Sequence, residues 1–186
     1  MSDDAPWATT THAWSREVDR EHLAAIRREL IKTEEAGDLR HLILEVLAYA
    51  QDEFESLRRH GTVTVSRRAD GSVRIDDDGR GTDTRQDDQG RVIRKPRISP
   101  TLPDGLPRRG ISTVAALSSV LIHENHRSGG SWSQTYRYGI PDNRLTPIAP
   151  RGRSGTVVAF HAEVDGPREL TDDDLTAFPD IDINLT

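Results

Sequence analysis

Leu39-Arg40-His41-Leu42-Ile43-Leu44-Glu45-Val46-Leu47-Ala48-Tyr49-Ala50-Gln51-Asp52-Glu53-Phe54-Glu55-Ser56-Leu57 is the stretch that decides the fold. Leu39, Leu42, Ile43, Val46, Leu47, Ala50, Phe54 and Leu57 recur at three- and four-residue steps, which on a helix form one continuous apolar face. Asp38 precedes them as a plausible N-cap. A second series, His41, Glu45, Tyr49 and Asp52 or Glu53, repeats at nearly the same interval on an adjacent face. It reads either as one wall of a cavity or as the polar margin of the helix.

Upstream, Ser15 as cap, Glu17 and Asp19 in the first turn, and Leu23, Ile26 and Leu30 at helical spacing predict a shorter amphipathic helix. Residues 1–14, with Trp7 and Trp14 as their large apolar groups, read as a flexible arm. Downstream, the alternating runs Thr62–Val65 and Ser72–Ile75 flank Ala69-Asp70-Gly71, which predicts a hairpin. The second run leaves through Asp76-Asp77-Asp78-Gly79-Arg80-Gly81. Residues 82–104 lack periodicity and read as a lid or long loop. Ile111 to Ser118 predicts a short buried helix. Val120–His123, the turn at Ser128-Gly129-Gly130 with its returning strand, Gly155–Phe160 and Ile181–Leu185 predict further strands, with a helical turn at 172–178 between the last two. This order predicts an α+β two-layer fold.

The chain has 186 residues, 25 Lys+Arg against 31 Asp+Glu and 34% hydrophobic residues, which fits one domain with a modest core. We divide it into the arm (1–14) and a single domain (15–186) whose lid spans about 82–109. The net charge of -6 argues against non-specific nucleic-acid binding. The absence of cysteine excludes disulfides and thiolate chemistry. No apolar run is long enough for a bilayer, and the N-terminus lacks the order of a signal peptide, so a cytoplasmic protein without a membrane partner is expected. The histidines show no trustworthy ligand spacing, and no metal site is expected.

Five blocks carry a resemblance: Leu39 to Val46; Asp76 to Gly81; Gly105-Leu106 with Gly110-Ile111-Ser112 to Ala116-Leu117-Ser118; Tyr138-Gly139-Ile140-Pro141; and Gly155-Thr156. In this order, from about Leu23 to Phe160, the chain resembles the ATPase domain of the DNA gyrase B subunit. That domain belongs to the GHKL superfamily with topoisomerase IV, MutL-type repair proteins and histidine kinases. The resemblance implies the two-layer GHKL (Bergerat-type) sandwich, with a mixed, mostly antiparallel sheet and helices on one face.

Carried over by position, the resemblance gives Glu45 the place of the general base that activates water and His41 the place of its neighbour. Asp77 takes the place of the aspartate that accepts the adenine amino group. Gly79, Arg80 and Gly81 form the wall around the base, Thr156 supports the aspartate contact, and Arg127 lies at the pocket mouth. The phosphate half departs from the pattern. The magnesium-coordinating asparagine is replaced by Tyr49, a poor ligand for a hard cation. The glycine-rich lid reads Asp104-Gly105-Leu106-Pro107-Arg108-Arg109-Gly110, with lid positions Gly105, Arg108, Arg109 and Gly110. Conventional ATP hydrolysis and an ATP or magnesium cofactor are therefore disfavoured, unless Arg108 and Arg109 grip an anion directly.

The leading expectation is a stand-alone gyrase B-like domain, ATPase-deficient, that binds a small molecule in the former adenine pocket. Aminocoumarins occupy that pocket in the resembled family, which suggests a resistance decoy or a natural-product biosynthesis role. One alternative is an enzyme reusing Glu45, His41 and Tyr49 for acid–base chemistry. Another is a protein-interaction module or residual nucleotide binder, with a possible homodimer through the arm. The chain shows no transducer-like segment, so DNA strand passage by itself is not expected.

Overall fold

A computed structural model describes Arg27 and residues 37–81, 101–142, 144–166 and 169–186. The arm, most of the helix read from Ser15 and the 82–100 part of the lid lie outside the described residues.

The long apolar periodicity forms α1 (Leu39–Leu57), capped by Asp38, whose side chain accepts from the His41 N–H at 2.9 Å. The hairpin follows as β1 (Gly61–Arg67) and β2 (Val73–Asp77). A short helix α2 (Ile111–Ala116) leads into β3 (Ser118–Arg127) and β4 (Gly130–Arg137). The two-residue strands β5 (Ile140–Pro141) and β6 (Thr146–Pro147), β7 (Gly155–Ala162), α3 (Asp172–Thr176) and β8 (Ile181–Leu185) complete the order.

The strands form one eight-stranded sheet in the order β5-β4-β3-β7-β2-β1-β8, with β6 also paired to β4. Every pairing is antiparallel except β1 with β8. The α+β, mostly antiparallel architecture read from the sequence is thus the observed one. What the sequence reading lacked was the parallel pairing of β8. It depends on Ile181 reaching Gly61 across 120 residues, and no local pattern encodes it.

One face of the sheet is apolar through Val63, Val65, Val73, Ile75, Leu121, Val158 and Phe160, and packs under α1 and α2. α1 is covered on more than its apolar stripe. Leu42, Ile43, Leu44, Leu47 and Phe54 are fully buried, and so are His41 and Glu45. The segment 101–110 contributes to this cover, with Leu102 buried in the same core. α3 closes the other end through an ion pair with a buried carboxylate: Arg40 donates to both oxygens of Asp174 at 2.8 Å. Asp174 also forms a capping box with Thr171, so Asp172, Asp173 and Asp174 sit in the first turn of α3, where negative charge is favourable.

Candidate functional site

Cross-strand register places a polar row within the apolar face. Asp77 ends β2, and Thr156 and Asn125 stand opposite each other on β7 and β3; all three are buried. Asp77 Oδ1 accepts from the Gly79 N–H at 2.9 Å and the Thr156 N–H at 3.0 Å. The geometry needs glycine at two places. A Cβ on Gly79 would lie 2.9 Å from Asp77 Oδ1 and 3.1 Å from Glu53 Cγ. At Gly155, φ is +132° and a Cβ would overlap the Asp77 carbonyl.

Burial pushes the Asp77 carboxyl up to about 6, with the Glu53 and Asp76 charges adding to the shift; the two N–H bonds oppose it. Such a group sits near the balance between an acceptor-only carboxylate and a neutral acid able to donate. Its wall is set from α1. Arg80 Nε donates to Glu53 Oε1 at 2.7 Å, which ties the guanidinium to α1. Gly81 packs against Asn125 and Arg127 at the end of β3. Asp77, Gly79, Arg80, Gly81, Arg127 and Thr156 therefore gather at one end of β2, β3 and β7.

Behind this row stand two residues absent from the sequence reading. Arg151 Nη1 and Arg153 Nη2 both donate to Asp76 Oδ1, at 2.6 and 2.7 Å, and each guanidinium also donates to the Asp77 carbonyl at 3.0 Å. They fix the strand end that presents the Asp77 side chain. The signal lay in Arg151-Gly152-Arg153 just before Gly155-Thr156, opposite a run of aspartates.

The lid meets α1 at three places. Asp104 Oδ2 accepts from His41 Nδ1 at 2.7 Å, while its Oδ1 caps the Leu106 N–H at 3.0 Å in an Asx-type turn. Glu45 accepts from two successive backbone donors, Arg109 N–H through Oε1 and Gly110 N–H through Oε2 at 2.9 Å. Arg108 donates to both oxygens of Asp52, at 3.0 and 2.6 Å. His41 Nε2 stands 3.7 Å from Glu45 Oε1, beyond hydrogen-bond range. Tyr49 is half-buried one turn past Glu45. His41, Glu45 and Asp52 of the helix series are thus bonded to the lid. Gly105 forms the exposed turn of that lid.

His123 is buried on the inner face between Val158 and Gln134, and burial alone pushes its pKa down to about 4. His126 meets Ser131 Oγ at 2.9 Å and is also lowered, chiefly by burial. Among the described residues no group of three or more His, Asp or Glu is arranged to hold a metal ion.

A buried carboxyl at the end of an inner strand, facing a long helix whose own carboxylate meets a glycine-bearing lid, defines the class: a GHKL-type domain. More specifically, it is a gyrase B-like one. The chain is 32% identical over 168 residues to the novobiocin-sensitive DNA gyrase B subunit of Streptomyces niveus, covering 78% of this chain and 23% of that protein. It is 30% identical over 178 residues to the DNA gyrase B subunit of Haloferax volcanii, covering 83% and 27%. It is 31% identical over 157 residues to the DNA topoisomerase 4 B subunit of a Staphylococcus epidermidis strain, covering 75% and 23%. The chain spans about a quarter of the length of these curated relatives. No family model matches it. Among the described residues no helix is long and apolar enough to cross a membrane.

Proposed function

We propose that this gyrase B-like domain binds a small heteroaromatic molecule at Asp77 and does not hydrolyse ATP. The carrying observation is the buried Asp77 carboxyl, oriented by the Gly79 and Thr156 N–H groups and walled by the Glu53–Arg80 pair. That arrangement suits a flat ring bearing an N–H or an adjacent acceptor.

The base half of a nucleotide fits these residues; a magnesium triphosphate does not. Both oxygens of Glu45 are engaged by lid amides, so the carboxylate is not poised to activate water. A phosphate arriving at Arg109 and Gly110 would have to displace it. Arg108 is committed to Asp52 and buried there, its side chain 6% exposed. Tyr49 supplies a phenol where the resembled ATPases use an asparagine on magnesium. We therefore derive no step through magnesium-ATP.

Two relatives from Streptomyces niveus are named for novobiocin sensitivity and novobiocin resistance. Novobiocin is an aminocoumarin, the class that the family resemblance brings to this pocket. A decoy that sequesters such a compound, or a carrier in its biosynthesis, is the role this reading supports.

A thermal-shift panel of novobiocin, adenosine, ADP and magnesium-ATP tests the reading. A ligand at 100 times its dissociation constant stabilises by about 2.7 kcal/mol, or about 5–10 °C for a chain of this size. A shift with novobiocin or adenosine that disappears in Asp77→Asn supports the proposal. A larger shift with magnesium-ATP, or retention of binding in Asp77→Asn, overturns it.

A further inference from the structure

On the flank of α1 away from Glu53 and Arg80, three segments distant in sequence enclose a cleft of about 460 Å³. α1 contributes Ala48, Gln51, Asp52 and Glu55. The lid contributes Thr101 to Pro103 and Arg108, and the turn before β8 contributes Ala177 to Asp180. The volume lies within the range of small-molecule sites, roughly 300–1,000 Å³. Its floor is apolar and well packed: Ala48, Leu102 and Phe178 are each no more than 6% exposed.

Charge selects the occupant. Arg108 is neutralised within the wall by its two bonds to Asp52. Glu55 is exposed on the helix side of the mouth. Asp180 lines the opposite segment, and its side chain is tied to the neutral Gln51: it accepts from Gln51 Nε2 at 2.5 Å, and the Asp180 N–H donates to Gln51 Oε1 at 3.0 Å. With one ion pair closed on itself, the described lining residues retain two negative charges, on Glu55 and Asp180, above an apolar floor.

We propose that this cleft is a second ligand site, separate from the Asp77 pocket, for an organic monocation carrying a flat apolar body, such as an aryl amidine or arylalkylamine. The ring lies on Leu102, Phe178 and Ala48, and the cationic group reaches Glu55 and Asp180. An anion of the same shape meets two carboxylates and is rejected. Because α1 stands between the cleft and Asp77, occupancy does not depend on the reading of the base pocket.

The test uses the full chain and three probes of nearly the same shape: benzamidine, benzamide and benzoate, followed by amide NMR shifts at Ala48, Gln51, Leu102 and Phe178. Benzamidine is expected to move these signals, to bind on the order of threefold tighter than benzamide, and benzoate to leave them unmoved. In Glu55→Gln/Asp180→Asn, which keeps an acceptor for Gln51, benzamidine should fall to the level of benzamide. Ala177→Trp, at an exposed position on the mouth, should abolish binding by filling the cleft. Benzoate binding as well as benzamidine, silence at these amides with every probe, or binding unaffected in Ala177→Trp each overturns the proposal.

Discussion

Glu45 Oε2 accepts the Gly110 backbone N–H at 2.9 Å, and the other oxygen of the same carboxylate takes the N–H of Arg109. A side chain of the central helix thus occupies consecutive donors of the lid. Asp104 on His41 and Arg108 on Asp52 tie the same segment down on either side. Residues 104–110 are thereby held against α1 by intramolecular contacts.

Glu45→Gln keeps one acceptor but sets its amide N–H₂ against the second lid donor. Leaving a buried donor unsatisfied costs about 1–3 kcal/mol. Hydrogen exchange at the Arg109 and Gly110 amides is expected to accelerate about tenfold or more, with β-sheet amides unchanged. Unchanged exchange at Gly110 would show that Glu45 does not hold the lid.

Asp77 has a pH signature. A carboxyl whose folded pKa of about 6 exceeds its ordinary 3.8 contributes stability that is complete below about pH 3.8 and lost as pH rises through about 6. Ionising it in the fold at neutral pH costs on the order of 2–3 kcal/mol. Asp77→Asn keeps an acceptor for Gly79 and Thr156 and removes the charge. The variant should melt several degrees higher at pH 7.5 while losing ligand, measured by calorimetry and titration. A lower melting temperature at that pH would refute the buried-charge account.

His123 opposes Asp77 over the same window. Held neutral with a pKa near 4, it contributes stability that is full above about pH 6.5 and lost as pH falls towards 4. Between pH 4 and 6 the two slopes offset each other. His123→Gln should therefore make the protein gain stability on acidification from 6 to 4.5, and Asp77→Asn should make it lose stability more steeply than the parent. Parallel pH profiles in the two variants would contradict the assignment.

The Arg108–Asp52 pair is 6% and 13% exposed at its side chains. Removing one partner of such a pair costs about 3–5 kcal/mol, because the remaining charge is stranded. Arg108→Met is expected to destabilise by that order, and Arg108→Met/Asp52→Leu to recover most of it. Denaturant melts on the two single variants and the double variant give the coupling. Additive losses would show that the pair does not act as a unit.

Gly155→Ala combines a left-region φ of +132° with an overlap on the Asp77 carbonyl. Loss of several kcal/mol and of binding at Asp77 is expected. A wild-type melting temperature with intact ligand affinity would place Gly155 outside the machinery that positions Asp77.

Much of this was legible in order along the chain. The spacing of Leu42, Val46 and Phe54 specified α1, Asp70-Gly71 the first hairpin, and Ser128-Gly129-Gly130 the second, because helix periodicity, strand alternation and turn chemistry act over a few residues. The ordered motifs named Asp77, Gly79 and Thr156, and the register then brought them together. Arg151 and Arg153 were not legible as holders of Asp76 and the Asp77 carbonyl, since 74 to 77 residues separate them from that strand end.

The sequence by itself determined the α1 stripe, the hairpins, the gyrase B-like order of motifs and the polar series at His41, Glu45, Tyr49 and Asp52. It left open whether that series was a solvated margin or a buried wall. Tertiary structure decided the matter by laying residues 101–110 across α1, which buries His41 and Glu45 completely and gives Glu45 two backbone donors and His41 a carboxylate. The physical reason is distance along the chain. Periodicity reports which residues share a face, but the partner of that face lies some 60 residues away, and only folding sets what a buried carboxylate must bond to.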